Sequence, residues 1–142
     1  MLQSQTVVRI ETQGRGLHEL TGGARAFVRR SGIEVGLLTV FCRHTSASLM
    51  IQENADPAVG RDLMAWLERL APDGDPAHSH VAEGPDDMPA HLRTTLTSSS
   101  ESIPIVRGEL ALGTWQGLFL IEHRYHPHAR EVVYHALGEG AE

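Results

Sequence analysis

Nine histidines in a chain of 142 residues are the first chemical signal in this sequence. Three stand where an ordered element begins or ends: His44 after an apolar run, His91 in the first turns of an acid-led helix, and His123 at the close of a second apolar run. His80 stands in the polar loop before that helix. Imidazoles carried on separate rigid elements suit a zinc-type site with one position left open for water or substrate. The carboxylates Glu53, Asp86, Asp87 and Glu122 can orient such ligands from behind, or hold a harder ion such as magnesium. Without a metal, the same histidines read as separate surface or hydrogen-bonded side chains. His126, His128 and His135 read as a solvated tail. Nucleophilic catalysis competes for the same residues, because His44 with Ser46 or Ser48 places a base near a hydroxyl. The strand should break there, however, and no G-x-S-x-G elbow supports it. Cys42 lies within an apolar run, where a thiol is inert packing.

The elements that must position these groups are mostly strands. In Gly108–Arg124 two extended runs flank a Gly113-Thr114-Trp115-Gln116-Gly117 break, and the second is apolar on nearly both faces before ending in Glu122-His123-Arg124. Such a strand is expected in the middle of a sheet or between layers, with its three polar groups delivered to the rim. Gln3–Thr12 and the strongly apolar Ile33–Arg43 read as strands, and Leu49–Ile51 suggests another. Between the first two, Gly14 and Gly16 loosen the chain, Thr21 is placed as N-cap, and a short helix from Ala24 closes at Gly32. Asp56-Pro57 opens a helix whose Leu63, Trp66, Leu67 and Leu70 recur at helical spacing and should pack on the sheet. Asp86-Asp87-Met88-Pro89-Ala90 opens a further helix, with acids where the helix dipole favours them. Ser98–Ser102 reads as a solvated turn, and strands follow at Ile103–Arg107, Glu109–Leu112, Trp115–Glu122 and Ala129–Leu137. The order is not a strict βαβ alternation. It favours an α+β fold with a mostly antiparallel, sandwich-like β core and two or three flanking helices.

Composition sets the bounds. The length fits one domain spanning 1–142, and 41% hydrophobic with 21% charged residues is the balance of a soluble globular protein. There is no apolar run long enough for a membrane span and no signal-peptide pattern, so no membrane partner is expected. A net charge of −6 argues against a nucleic-acid partner, which would need a basic stripe. A single cysteine excludes an internal disulfide and fits a reducing cytoplasm. GxGxxG, P-loop, HExxH and CxxC patterns are all missing, so the usual nucleotide and zinc-ribbon readings have no support.

Four blocks carry a resemblance. His44-Thr-Ser-Ala-Ser-Leu49, Glu53-Asn54 with Asp56-Pro57, Glu83-Gly-Pro-Asp-Asp-Met-Pro-Ala-His91, and Gly113-Thr-Trp-Gln-Gly117 through Glu122-His-Arg124 closely resemble the YjbQ-like family. That family is known as the secondary thiamine-phosphate synthases, and the match runs from about Gln3 to Gly138. The resemblance implies a β-rich α+β fold, a homotrimer with its polar motifs at a cleft near the subunit interface, and weak joining of a pyrimidine diphosphate to a thiazole phosphate. It places His44, Thr45 and Ser46 in one family block, Asp86, Asp87 and His91 in a second, and Trp115, Gln116, Glu122, His123 and Arg124 in a third. One position departs: the family usually has an aromatic residue two places before His80, and here that place is His78.

These residues are compatible with that chemistry. Expelling pyrophosphate needs cation charge on the leaving group and a shaped, dry pocket. On this reading a divalent metal, zinc or magnesium, is the cofactor and His44, His91 and His123 are its ligands. Asp86 and Asp87 hold magnesium against the diphosphate, Arg124 forks onto a phosphate, and Thr45, Ser46, Trp115 and Gln116 contact the small phosphorylated substrate. Two alternatives use the same residues. A metal-dependent hydrolase would take Glu53 or Glu122 as general base, and a non-catalytic metal- or ligand-binding trimer would show no turnover.

Overall fold

The computed structural model describes residues 1–142. Eight strands and three helices follow in the order β1 (Leu2–Thr12), β2 (Gly16–Glu19), α1 (Thr21–Ser31), β3 (Ile33–Cys42), β4 (Ala47–Glu53), α2 (Pro57–Leu70), α3 (Asp87–Leu96), β5 (Ser100–Val106), β6 (Glu109–Leu110), β7 (Gln116–Glu122) and β8 (His128–Gly140). They build a five-stranded sheet in the order β1-β8-β3-β5-β6 and a three-stranded sheet in the order β2-β7-β4. All pairings are antiparallel. The fold is α+β, as the sequence pattern indicated. No helix is long and apolar enough to cross a membrane.

Alternation decides which side chains face inward. On β3 and β8, Leu38, Val40, Val132, Tyr134 and Ala136 point to one side and join Leu49, Leu118 and Leu120 of the small sheet in one buried cluster. Ala24, Phe27 and Val28 of α1 enter the same cluster. Residues 118 to 123 of the chain are all buried, so β7 lies between layers as its apolar composition predicts. The opposite face of the large sheet is uncovered in the single chain. Val7, Leu37, Phe41 and Leu137 are exposed there, and the pairings Leu37↔Leu137, Phe41↔Val133 and Val7↔Val133 place them on one surface.

Several expectations are corrected. The loosened stretch after Gly14 includes a short strand, β2, which pairs with β7. The N-cap of α1 is Leu20. Thr21 lies inside the helix, its Oγ1 donating to Glu19 and accepting from the Leu118 amide, which ties α1 to β7. Ser100–Ser102 begins β5, opposite Thr39–Phe41, and Ser98 bridges to Leu49 of β4 through two backbone hydrogen bonds, so the serine run is not a solvated turn. The apolar stripe of α2 is only partly buried: Leu67 is 3% exposed, but Trp66 and Leu70 are 47% and 50% exposed. Asp56 does cap α2, its Oδ1 accepting from the Ala58 amide at 2.9 Å. Gly36 and Gly138 pair across β3 and β8, where a Cβ on Gly138 would meet the Val35 carbonyl oxygen at 2.2 Å. Only glycine allows that backbone approach.

Candidate functional site

The helix α3 explains the first pair of site residues. Asp87 and His91 are one helical turn apart and therefore share a face. His91 Nε2 lies 3.0 Å from Asp87 Oδ2, and the loop before the helix brings His80 Nε2 to within 2.5 Å of the same oxygen. The ligand-type atoms of His80, Asp87 and His91 all lie within 4.8 Å of one another. The far side of His91 fixes its tautomer. Its Nδ1 is 2.7 Å from the Thr45 carbonyl oxygen, which can only accept, so Nδ1 carries a proton. In a neutral His91 the lone pair of Nε2 then faces a carboxylate oxygen, and two acceptors face each other. A proton or a cation between them resolves the conflict. A ring nitrogen held by a backbone carbonyl, with the other nitrogen free to ligate, is the usual arrangement behind a metal-bound histidine.

The group also has an open side. Asp87 is nearly enclosed, its side chain 3% exposed, whereas His80 and His91 are 39% and 31% exposed. Burial pushes the Asp87 carboxyl up, but the His80 hydrogen bond and the charges of His91 and Arg124 outweigh it and hold it below its ordinary value. Two imidazoles and one carboxylate suit zinc or another transition metal better than magnesium, which prefers oxygen ligands and retained water.

Arg124 and Asp86 brace this acid and are not free to bind ligands. Arg124 donates from Nη1 to Asp87 Oδ1 at 2.6 Å, from Nε to Asp86 Oδ2 at 3.1 Å, and from Nη2 to the Glu83 carbonyl at 2.9 Å. Asp86 Oδ2 also accepts from the Tyr125 amide. The expected phosphate fork at Arg124 and magnesium platform at Asp86 are therefore already used within the chain. Glu122 is likewise committed. It is fully buried, and it accepts from Arg130 Nε at 2.8 Å, from Arg130 Nη2, from Thr12 Oγ1 at 2.6 Å and from the Arg124 amide. Burial alone would raise its pKa, and Arg130 with Thr12 reverses that, so it stays a carboxylate in a structural ion pair.

Two of the three histidines expected as ligands lie outside the group. His44 turns its Nε2 toward the Glu131 amide, accepting at 2.8 Å, although its neighbour Thr45 touches His91. His123 is fully buried, with Nε2 2.9 Å from Ser48 Oγ and Nδ1 without a partner. Burial, with repulsion from Arg93, lowers its pKa to about 3, so it is neutral. Both rings are thereby held away from the α3 group. The hydroxyl–imidazole pair that forms is thus Ser48 with His123, and not His44 with Ser46. Ser48 is itself fully buried, so no substrate reaches it. Cys42 is buried, its Sγ 3.4 Å from the Ala47 carbonyl, and burial raises its pKa, as expected of inert packing.

A cleft of about 610 Å³ is lined by Arg43, His44, Thr45, Ser46 and Ser99 together with Phe41 and Cys42, and it adjoins the group through Thr45, whose carbonyl oxygen meets His91. A smaller one of about 340 Å³ is lined by His78 and His80, which places the histidine that departs from the family pattern next to the group. Glu53, Trp115 and Gln116 fall elsewhere. Glu53 pairs with Gln116 at one end of the small sheet, whereas Ala47 pairs with Glu122 at the other, six residues or ~20 Å along the strand. Trp115 is 63% exposed, and Gln116 Oε1 caps the Gly113 amide. Within one chain these three do not meet the histidines.

In the sequence His80 reads only as a loop residue, and nothing singles out the cations Arg93 and Arg130, which the fold buries. The Asp87–His91 spacing is the signal available for the first. No spacing announces the others: Arg93 reaches back 20 and 22 residues to Asp73 and Ala71, and Arg130 turns back eight residues, across the turn before β8, to Glu122.

Comparison with known proteins agrees with this architecture. The family described as UPF0047 protein YjbQ-like matches residues 6–139. The chain is 55% identical to a UPF0047 protein of Synechocystis over 137 residues, covering 96% of this chain and 93% of that one. It is 35% identical to the UPF0047 protein YjbQ of Escherichia coli O157:H7, covering 95% and 98%. The crystal structure of a hypothetical protein from Aeropyrum pernix superposes with a TM-score of 0.83 at 31% identity, covering 98% of this chain and all of that one, 100%. A conserved hypothetical protein from Thermus thermophilus gives a TM-score of 0.80 at 35% identity, covering 90% and 97%. By sequence and by fold, the chain belongs to the UPF0047, YjbQ-like family.

Proposed function

We propose that this protein is a divalent-metal-dependent thiamine-phosphate synthase of the secondary type, joining a pyrimidine diphosphate to a thiazole phosphate with release of pyrophosphate. The observation that carries the reading is the His80–Asp87–His91 group, with its acceptor-against-acceptor geometry, its open side, and a cleft that adjoins it through Thr45. A zinc-type cation held by those three residues would supply positive charge for the diphosphate leaving group. The chain's own residues do the rest. Arg124 holds Asp87 in position and keeps it ionised. Thr45 orients His91 through its carbonyl, and with Ser46 it lines the cleft that receives the phosphorylated substrate. Arg43 and Ser99 on the same wall offer donors to a phosphate.

The working form is proposed to be a homotrimer, with a mass about three times the 15.5 kDa of the chain. The uncovered apolar face of the large sheet supports self-association, since single-chain proteins rarely leave such a surface in water.

The test is a product assay for thiamine phosphate, detected by oxidation to a fluorescent thiochrome, with zinc, manganese or magnesium added to metal-stripped protein. Product with the wild type, and loss of at least about a hundredfold in His91→Ala and Asp87→Asn, is the expected result. No product with any metal would favour a binding protein. Release of inorganic phosphate without coupling would favour the hydrolase.

A further inference from the structure

A third cleft runs along the small sheet, from Gly16, opposite Glu122, to Glu53, and none of His80, Asp87 and His91 lines it. It has a volume of about 560 Å³ and opens between α2 and the β2 edge. Leu17, Phe119, Met64 and Ala65 supply apolar lining. The charged lining is one-sided: Glu19, Glu53, Asp56 and Glu68 against the single cation Arg61.

Three of those acids are already engaged. Glu19 Oε2 accepts from Thr21 Oγ1 and Asn54 Nδ2, Asp56 caps α2, and Glu68 Oε1 accepts from Arg15 Nη1 at 3.4 Å. Glu53 is different. Its Oε2 is shut off from solvent and has no hydrogen-bond partner, although the residue lines the cleft. A carboxylate oxygen enclosed without a donor is unfavourable, and a turn of this half-buried side chain toward the cleft, where a ligand N–H group can meet it, would relieve it. The volume lies in the range that holds a small organic ligand, and an apolar wall with one convergent charge is the usual composition of such a site.

We propose that this cleft binds a small amphipathic organic cation, an amine or amidine on an apolar or aromatic body. The cationic N–H groups meet Glu53, and the ring or chain lies against Phe119 and Met64. The cleft is independent of the metal-type group, and its occupancy does not depend on any catalysis there.

The probe is benzamidine, titrated into full-length protein carrying ¹³C-methyl-labelled methionine. Four methionines report separately, and only Met64 lines the cleft. A saturable shift of the Met64 methyl, with the other three unmoved, is the expected result. Benzoate, with the opposite charge, and neutral benzyl alcohol should bind at least about tenfold more weakly. Glu53→Gln should weaken benzamidine binding by at least about tenfold, and Glu19→Gln, whose carboxylate is already satisfied, should weaken it less. Both variants are first checked for wild-type circular dichroism, and Glu53→Asp replaces Glu53→Gln if that variant does not fold. No saturable Met64 shift at millimolar benzamidine would overturn the proposal. Equal binding of benzoate, or wild-type affinity in Glu53→Gln, would do the same.

Discussion

Replacing His123 by glutamine should flatten the acid side of this protein's stability profile. The ring is fully buried, one nitrogen meets Ser48, and the other has no acceptor. Burial and the nearby Arg93 charge lower its pKa to about 3, against 6.5 for a free histidine. The unfolded chain therefore takes up a proton below pH 6.5 that the folded chain refuses. Stability that is fully present above 6.5 is lost as the pH falls from there toward 3. At ~1.4 kcal/mol per pH unit, this one group costs the folded state roughly 2 kcal/mol between pH 7 and pH 5. Asp87 and Glu122 have depressed values of their own, but they act mainly below that window. Glutamine keeps an amide near Ser48 and cannot titrate. Urea unfolding of wild type and His123→Gln, at one protein concentration and with chelator present, gives the two losses directly. The wild type should lose about 2 kcal/mol more than the variant over those two pH units. Equal losses within about 0.5 kcal/mol would refute the burial argument.

Arg130→Ala strips the partner from a fully buried Glu122 and should destabilise the fold by about 3–5 kcal/mol, measured by the same unfolding assay. Gly138→Ala pushes a Cβ into the Val35 carbonyl across β3, and thermal unfolding should show a loss of about 1–3 kcal/mol or more. Leu37→Asp puts a charge on the uncovered apolar face. Light scattering should report a trimer for the wild type and a smaller species for the variant, and a wild-type monomer at micromolar concentration would remove the assembly from the account.

Much of the fold can be read from the sequence because strands announce themselves by period and helices by caps. Asp56-Pro57, Gly32 and the apolar run of β7 each sit where their chemistry requires. The short β2 strand is not legible, because four residues near two glycines carry too little pattern and only pairing with β7 makes them extended. The exposure of Trp66 is missed for a related reason. Helical periodicity marks an apolar stripe without saying whether the same chain or another one covers it. In the site, the block containing Asp87 and His91 is visible as chemistry. What cannot be read is the direction in which each ring turns. His44 and His123 end strands much as anticipated, yet one ring reaches a backbone amide and the other is buried against Ser48. Arg124 is legible as an important cation, but its use as an internal brace depends on two acids some 37 residues away meeting it in space.

The most direct test of the central claim is metal content of tag-free protein. Wild type dialysed against zinc and then against buffer should retain about one equivalent per chain, measured by plasma emission spectrometry. His80→Ala, Asp87→Asn and His91→Ala should each lose most of it, while His44→Ala retains it, since that ring faces Glu131. A wild type without stoichiometric metal, or loss in His44→Ala with retention in His91→Ala, would contradict the assignment of His80, Asp87 and His91 as the metal-binding group.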